Sequence, residues 1–351
     1  MFILTLVAFL IILGLLVFVH ELGHFSMAKL CGVTVEEFAF GFPPRLICKK
    51  KNGTRYCINL IPFGGYVKML GEDEDVKAKG SFSSKKARFR FLIVVAGVLM
   101  NFILAGVLFS AGYMIGMSPI AIPQSALTSG VKSNKIIIAQ IMKDSAGERA
   151  GLKVGDSILN YNDVTLFSEF TKSNLDQNVT ITVQRASKIY EKQVHISDNV
   201  DAPMGLGLVD VPSYKVPFFK AIGIGFKEMF YTTGAIAVGI YNLFRDIFST
   251  GKVGEGVAGP VGIFNITGEA VRLGISYIIQ LAGLLSINLA LINILPFPAL
   301  DGGRAFIIFA EGIARKKIIR EDIESLLHTI GFVILIALIL VVTFKEVLAL
   351  V

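Results

Sequence analysis

The stretch FILTLVAFLIILGLLVFVHELGHFSMA, residues 2–28, is an apolar run that ends in two histidines and one glutamate. It carries no charged residue from Phe2 to Val19. A helix that crosses a bilayer needs roughly 20 apolar residues, so we predict a first transmembrane helix over residues 1–29. The run lacks the basic start and the small-residue cleavage site of a signal peptide, and we therefore expect it to be retained.

Composition indicates an integral membrane protein rather than a soluble one. Of the 351 residues, 53% are hydrophobic and only 17% are charged, whereas a soluble domain has about 25% charged residues. The mean hydropathy is +0.66. The net charge of +7 is expected to lie in loops beside the lipid bilayer, since no basic run is interleaved with aromatic residues as in nucleic-acid-binding segments. We expect no nucleic-acid partner.

Hydrophobic segments predict a polytopic α-helical fold with four transmembrane helices. After the first helix, the remaining three are expected at residues 91–117, 273–300 and 326–347. Residues 213–250 hold only 16 uncharged residues in a row, from Met229 to Phe244, with charges close on both sides. That segment is interpreted as an interfacial amphipathic helix rather than a fifth span.

Charge asymmetry between the loops predicts the orientation. Residues 29–90 hold 13 Lys or Arg and 6 Asp or Glu, and the 301–325 loop holds five basic residues. The positive-inside rule therefore places both loops in the cytoplasm and residues 118–270 outside. Four spans are consistent with this assignment and place residues 20–24 and 301 on the same side.

The outside segment contains a domain of its own. Alternating stretches such as residues 178–184 read as strands. Residues 125–205 resemble a PDZ domain of the bacterial protease type, most clearly at Ala150-Gly151-Leu152 and Val154-Gly155-Asp156. An inserted, extracytoplasmic PDZ-like α+β domain is expected there, and a generic small β domain is the alternative.

The cytoplasmic segment 30–90 is unusually apolar around residues 57–68. We expect a membrane-associated β-hairpin that packs against the helices, because lipid-exposed backbone would be costly; an ordinary surface hairpin is the alternative. The three cysteines, Cys31, Cys48 and Cys57, have no C-x-x-C spacing. They are interpreted as reduced residues without a metal role.

His20-Glu21-Leu22-Gly23-His24 forms an H-E-x-x-H motif near the end of the first helix. Residues four apart share a helix face, so both histidines can reach one Zn²⁺ ion. Glu21 is placed to take a proton from a water molecule beside the metal. Imidazoles and a carboxylate are expensive to bury in an apolar helix unless they serve a function. We predict one Zn²⁺ per chain, with Glu21 as the catalytic base.

A hydrolytic zinc site needs a third protein ligand, and Asp301 is the strongest candidate. It follows 28 uncharged residues and a stretch that Pro296 and Pro298 break. His195 and His328 are poor candidates, because the first lies in the outside domain and the second begins the fourth span.

With these motifs, the chain resembles the site-2 protease family of intramembrane zinc metalloproteases, in its bacterial type with a single PDZ domain. The resemblance covers nearly the whole chain. It is carried by residues 20–24, by the N-x-x-P-x-P-x-x-D-G pattern from Asn293 to Gly302, by Gly259-Pro-Val-Gly-Ile and by Phe63-Gly-Gly-Tyr.

The resemblance implies regulated intramembrane proteolysis of single-pass membrane proteins after a first extracytoplasmic cut. Such substrates include anti-sigma factors and signal-peptide remnants. It implies a multi-pass protein of the bacterial inner membrane, with the active site toward the cytoplasm. Candidates for holding the substrate or the oxyanion are Asn293, Asn288, Gly64 and Gly65, although Asn288 is equally consistent with an interhelical hydrogen bond.

Two other classes of function remain open at this point. The chain could be a membrane scaffold with a structural zinc, although structural sites usually have four ligands and only three are found. It could be an ion transporter, although this predicts more ionisable residues along the spans.

Overall fold

The structure is a computed structural model that describes residues 1–72, 76, 78–123, 127, 131–185, 188–199, 202–250, 258–319 and 321–348. The chain divides into two compact units, which are described separately. The sheet unit consists of residues 107–231 and 266–281 together with Met1, and the hairpin unit consists of residues 2–106, 232–265 and 282–351.

Helices make up most of the described chain. They are α1 (Phe2–Leu30), α2 (Ala87–Ile115), α3 (Ala146–Arg149), α4 (Val164–Ser173), α5 (Phe218–Thr250), α6 (Pro260–Leu273), α7 (Ile275–Asn293), α8 (Asp301–Ala314) and α9 (Glu321–Leu348). The strands are β1 (Val35–Lys51), β2 (Thr54–Met69), β3 (Val131–Ile141), β4 (Ser157–Ile158), β5 (Asn178–Arg185), β6 (Lys188–His195) and β7 (Leu206–Lys215).

Four helices of the described chain are long and apolar enough to cross a membrane, namely α1, α2, α7 and the Ile323–Leu348 part of α9. At the level of length and composition, the predicted four spans are confirmed. The third helix ends at Asn293 and not at residue 300, because Pro296 and Pro298 cannot continue the hydrogen-bonding pattern of a helix.

The sheet unit contains a five-stranded antiparallel sheet in the order β6-β5-β4-β3-β7. Its core includes Ile136, Val183 and Phe167, all almost fully buried. The expected α+β character is present, while the PDZ assignment stays a prediction. Part of the predicted 125–205 domain lies outside the described residues.

Two predicted boundaries in the sheet unit are wrong. Strand β7 pairs along β3 from Leu206 to Lys215, so the sheet extends past residue 205. The helix predicted from residue 213 therefore begins only at Phe218, in α5. Pro212 obscured the strand in the sequence, since proline is rare in strands except at an edge such as β7.

Strands β1 and β2 form the predicted hairpin, an antiparallel pair with several register shifts. Leu46, Ile47 and Leu60 are more than half exposed, and the association of the hairpin with the membrane stays a prediction. Cys48 and Cys57 form a disulfide, so their interpretation as reduced residues is wrong. Their cross-strand pairing depends on the hairpin register, which a nine-residue spacing does not reveal. Cys31 is free.

The predicted 301–325 loop is also partly wrong, because Asp301–Ala314 is the helix α8. Its buried face carries Ile308 and Glu311, and Glu311 forms an ion pair with Arg90 of α2 at 2.8 Å. Helix α8 mixes glycine, charged and apolar residues and buries only one face. Such an amphipathic helix does not contain a long apolar run, which is why the sequence pattern did not indicate it.

Candidate active site

His20 and His24 project from the same face of α1, as residues four apart on a helix must. Their Nε2 atoms lie 3.2 Å apart. Oδ2 of Asp301 lies 2.9 Å from Nε2 of His20 and 3.3 Å from Nε2 of His24. The three side chains predicted as metal ligands, 281 residues apart at their most distant, therefore converge on one point in the hairpin unit.

Asp301 reaches this point because the chain breaks between α7 and α8. Helix α7 ends at Asn293 and α8 begins at Asp301. Gly302 and Gly303 allow the start of α8 to press against the broken segment. A Cβ atom on Gly302 would lie 2.2 Å from the carbonyl oxygen of Ile294, and one on Gly303 would lie 2.3 Å from that of Phe297.

The donor set fits a Zn²⁺ ion. Two imidazole nitrogens and a carboxylate are the ligands of a catalytic zinc site that leaves one position open. Oδ2 of Asp301 is buried and accepts no hydrogen bond of regular geometry, although two imidazoles face it.

Helix α2 orients the His24 imidazole. Nδ1 of His24 lies 2.9 Å from the carbonyl oxygen of Ile93, so Nδ1 carries the proton and donates it. Nε2 then keeps its lone pair for a metal. Metal-binding histidines are commonly fixed in this way by a partner on the second nitrogen.

Asn101 of α2 does the same for His20. It is fully buried, and its side-chain amide lies 3.3 Å from Nδ1 of His20. The amide oxygen and nitrogen of Asn are interchangeable in such a placement. With the oxygen toward His20, the Asn101 amide accepts the Nδ1 proton and leaves Nε2 free to bind zinc. That orientation gives the now unpartnered Oδ1 a hydrogen bond.

Gly97 lies directly beneath both imidazoles. A Cβ atom at this position would lie 2.4 Å from Nε2 of His24 and 2.8 Å from Cε1 of His20. The two imidazole rings therefore occupy the space that a side chain at residue 97 would fill.

Glu21 lines a cavity of about 220 Å³ together with the two histidines, Asp301 and the hairpin residue Tyr66. Gly65 brings the hairpin backbone close, since a Cβ atom there would lie 3.3 Å from Cγ of Glu21. Strand β2 therefore forms one wall of this cavity, and α1, α2 and α8 form most of the rest of its lining.

The weaker predicted site residues have different positions. Nδ2 of Asn293 lies 3.4 Å from Nε2 of His20, next to the ligand atoms. Gly64 has a φ of +104° and faces the Phe42 ring, while Gly65 faces Glu21. Asn288 of α7 is not among the described residues that line the cavity.

The two histidines that were expected to have no metal role lie elsewhere. His195 is on β6 of the sheet unit, where its Nε2 lies 3.3 Å from an exposed Asp176 carboxylate. Nδ1 of His328, on α9, accepts the backbone N–H of Ala299 at 3.1 Å.

Sequence reasoning missed the contribution of α2, which comes from Ile93, Gly97 and Asn101. A signal was available, because Gly97 and Asn101 are four residues apart on one face of an apolar helix. A polar residue in such a helix usually marks a functional site. The backbone carbonyl of Ile93, by contrast, leaves no trace in the sequence.

Comparisons with known proteins agree with this geometry. The sequence profile of Peptidase family M50 matches residues 8–338. A protein from Clostridium perfringens that is named a zinc metalloprotease is 33% identical to this chain over 340 residues, with 95% of each chain covered. The regulator of sigma-W protease RasP of Bacillus subtilis is 30% identical, with 99% of each chain covered. The zinc metalloprotease RasP of Geobacillus kaustophilus is 28% identical, with 98% of this chain and 97% of the relative covered.

Proposed function

Because the chain belongs to peptidase family M50, the site-2 proteases, we propose that this zinc metalloendopeptidase cleaves single-pass membrane proteins after a first extracytoplasmic cut. The observation that carries the proposal is the convergence of His20, His24 and Asp301 within 4.8 Å of one another, with Glu21 in the same cavity. Substrates of this class include anti-sigma factors and signal-peptide remnants. The name of the Bacillus subtilis relative, regulator of sigma-W protease RasP, supports the first.

In this proposal, the two histidines and Asp301 hold the metal. Zinc bound there would supply a Lewis acid that makes water more acidic and polarises the peptide carbonyl. Glu21 takes the proton from the attacking water and later gives it to the leaving amine. Asn293, beside the ligand atoms, is the candidate hydrogen-bond donor to the developing oxyanion.

The depth of the site supports cleavage near the cytoplasmic face. His20 follows 18 helical residues of α1, which span about 27 Å at roughly 1.5 Å per residue. The basic loop 29–90 follows directly, and the positive-inside rule places it in the cytoplasm. The scissile bond is therefore proposed to lie near the cytoplasmic end of the hydrocarbon core.

A substrate helix must unwind before its peptide bonds can be attacked. We propose that the unwound stretch pairs with strand β2, which lines the cavity through Tyr66 and Val67. Residues 56–58 pair with residues 38–40 on one side and with residues 47–49 on the other, so the candidate edge is the half of β2 at residues 65–68. Proline substitutions along residues 65–68 remove strand donors, so they should slow cleavage while zinc content stays unchanged. Unchanged cleavage in these variants would exclude pairing at that edge.

The outside domain is proposed to act as a size filter for substrates. Deleting residues 125–205, or the whole sheet through Lys215, should then release cleavage of substrates that have not received the first cut. If the domain is only a spacer, uncut substrates stay intact in the deletion variant.

The test of the proposed function is Glu21→Gln in the purified full-length protein. It should bind one zinc per chain like the parent protein and lose cleavage of a pre-cut single-pass substrate by about 100-fold or more. Glu36→Gln is the matched control, because Glu36 is exposed and pairs only loosely with Lys68 at 3.5 Å. Cleavage by Glu21→Gln at the parent rate would rule out Glu21 as the base.

A further inference from the structure

The segment that delivers Asp301 is held by the last helix. Residues 294–300 connect α7 to α8, and the backbone N–H of Ala299 donates a hydrogen bond to Nδ1 of His328 at 3.1 Å. Ala299 is two residues before Asp301, while His328 lies on α9, 29 residues further along the chain. The contact therefore fixes the ligand-bearing segment to a helix that contributes no ligand itself.

The backbone geometry at Ala299 is unusual. Ala299 has a φ of +76°, a region that residues other than glycine rarely occupy. Such a conformation persists only when the surrounding structure imposes it. The hydrogen bond to His328 is one such constraint, because it holds the Ala299 N–H in place.

Helix α9 also touches the segment one position earlier. Gly331 lies one turn after His328, and a Cβ atom there would lie 2.4 Å from the carbonyl oxygen of Pro298. The backbones of α9 and of the broken segment are thus in direct contact. Two neighbouring points of α9 define where Pro298 and Ala299 sit, and thereby where α8 and Asp301 begin.

The chemistry of the contact assigns the state of the imidazole. Because Ala299 is the donor, Nδ1 of His328 carries a lone pair, so the ring is neutral with its proton on Nε2.

We propose that His328 is a positioning residue for the third zinc ligand, acting through the Ala299 N–H. The inference rests on the role of Asp301 given under the proposed function. It predicts that the acceptor atom at Nδ1, and not the bulk of the ring, determines how tightly the protein holds zinc.

Two nearly isosteric variants of the full-length protein separate these possibilities. His328→Asn keeps an acceptor oxygen in the place of Nδ1, while His328→Leu has the same shape without an acceptor. Zinc affinity is measured by competition with a chelator of known affinity. We expect His328→Leu to bind zinc about 10- to 100-fold more weakly and to lower kcat with KM unchanged, and His328→Asn to stay within about threefold of the parent. Parent-like zinc affinity in His328→Leu, or equal losses in both variants, would overturn the proposal.

Three further variants complete the test. His195→Leu, the same change at an exposed histidine, should leave zinc affinity unchanged. Asp301→Asn should lose zinc. If it binds zinc normally, the assignment of Asp301 as a ligand is wrong. If Asp301→Asn loses zinc while His328→Leu keeps it, only the role of His328 is refuted. Should His328→Leu fail to accumulate, Gly331→Ala pushes on Pro298 from the same helix, and unchanged zinc affinity in that variant would overturn the proposal.

Discussion

Gly97→Ala is expected to remove zinc binding by adding a single methyl group. Its Cβ would lie 2.4 Å from Nε2 of His24, whereas ordinary van der Waals contact begins at 3.4 Å. The ring must therefore retreat by about 1 Å, far more than the ~0.2 Å that a metal–ligand distance tolerates. A misplacement of about 1 Å costs on the order of 100-fold in rate, or about 2.7 kcal/mol.

The assay measures bound zinc per chain and cleavage of a pre-cut single-pass substrate in liposomes. Gly234→Ala is the matched control, because no atom lies within 4 Å of the added Cβ. Both changes favour the helix by up to about 1 kcal/mol, so a general destabilisation is not expected. Zinc affinity and cleavage at parent levels in Gly97→Ala would refute the placement of α2 against the two histidines.

Three other substitutions test separate parts of the molecule. Asn101→Leu should weaken zinc affinity about 10- to 100-fold in chelator competition, and an unchanged affinity would exclude its role in orienting His20. Gly65→Ala places a Cβ 2.9 Å from the carbonyl oxygen of Ala39 and 3.3 Å from Cγ of Glu21, so strand β2 must shift beside the base. It should lower kcat at least about tenfold with zinc retained; a normal kcat would mean that the hairpin does not position the base. Asp156→Asn leaves Arg185 without its fully buried carboxylate partner at 2.6 Å and should destabilise the sheet by about 3 kcal/mol, visible as faster hydrogen exchange in β3 and β5, and unchanged exchange would contradict it.

The membrane-spanning helices could be predicted because burial in lipid imposes one requirement on every residue. A run of about 20 apolar residues satisfies it in any fold. The four candidate spans can therefore be predicted without knowing which elements pack against them. Their ends were harder, since the end of α7 at Asn293 depends on two prolines several residues later.

Elements that depend on pairing were located less well. Strand β7 is defined by its register with β3, and the Cys48–Cys57 disulfide by the register of the hairpin. Neither register can be read from a single strand. Helix α8 was overlooked for the related reason that only one of its faces is buried.

The proposed ligand set was accessible from the sequence because each of its side chains is costly to bury at its position in the chain. Two histidines in an apolar helix and an aspartate after 28 uncharged residues each require an explanation. What orients them was not accessible. The Ile93 carbonyl is backbone, Gly97 acts through the absence of a side chain, and His328 reads as an ordinary polar residue at the start of a span.

The central claim is that His20, His24 and Asp301 hold one catalytic zinc ion, and X-ray absorption at the zinc edge of the purified protein tests it most directly. The account predicts one zinc with only nitrogen and oxygen ligands at about 2.0–2.2 Å, including two imidazoles, and a spectrum that is lost in Asp301→Asn. A sulfur ligand at about 2.3 Å, or an unchanged spectrum in Asp301→Asn, would contradict it.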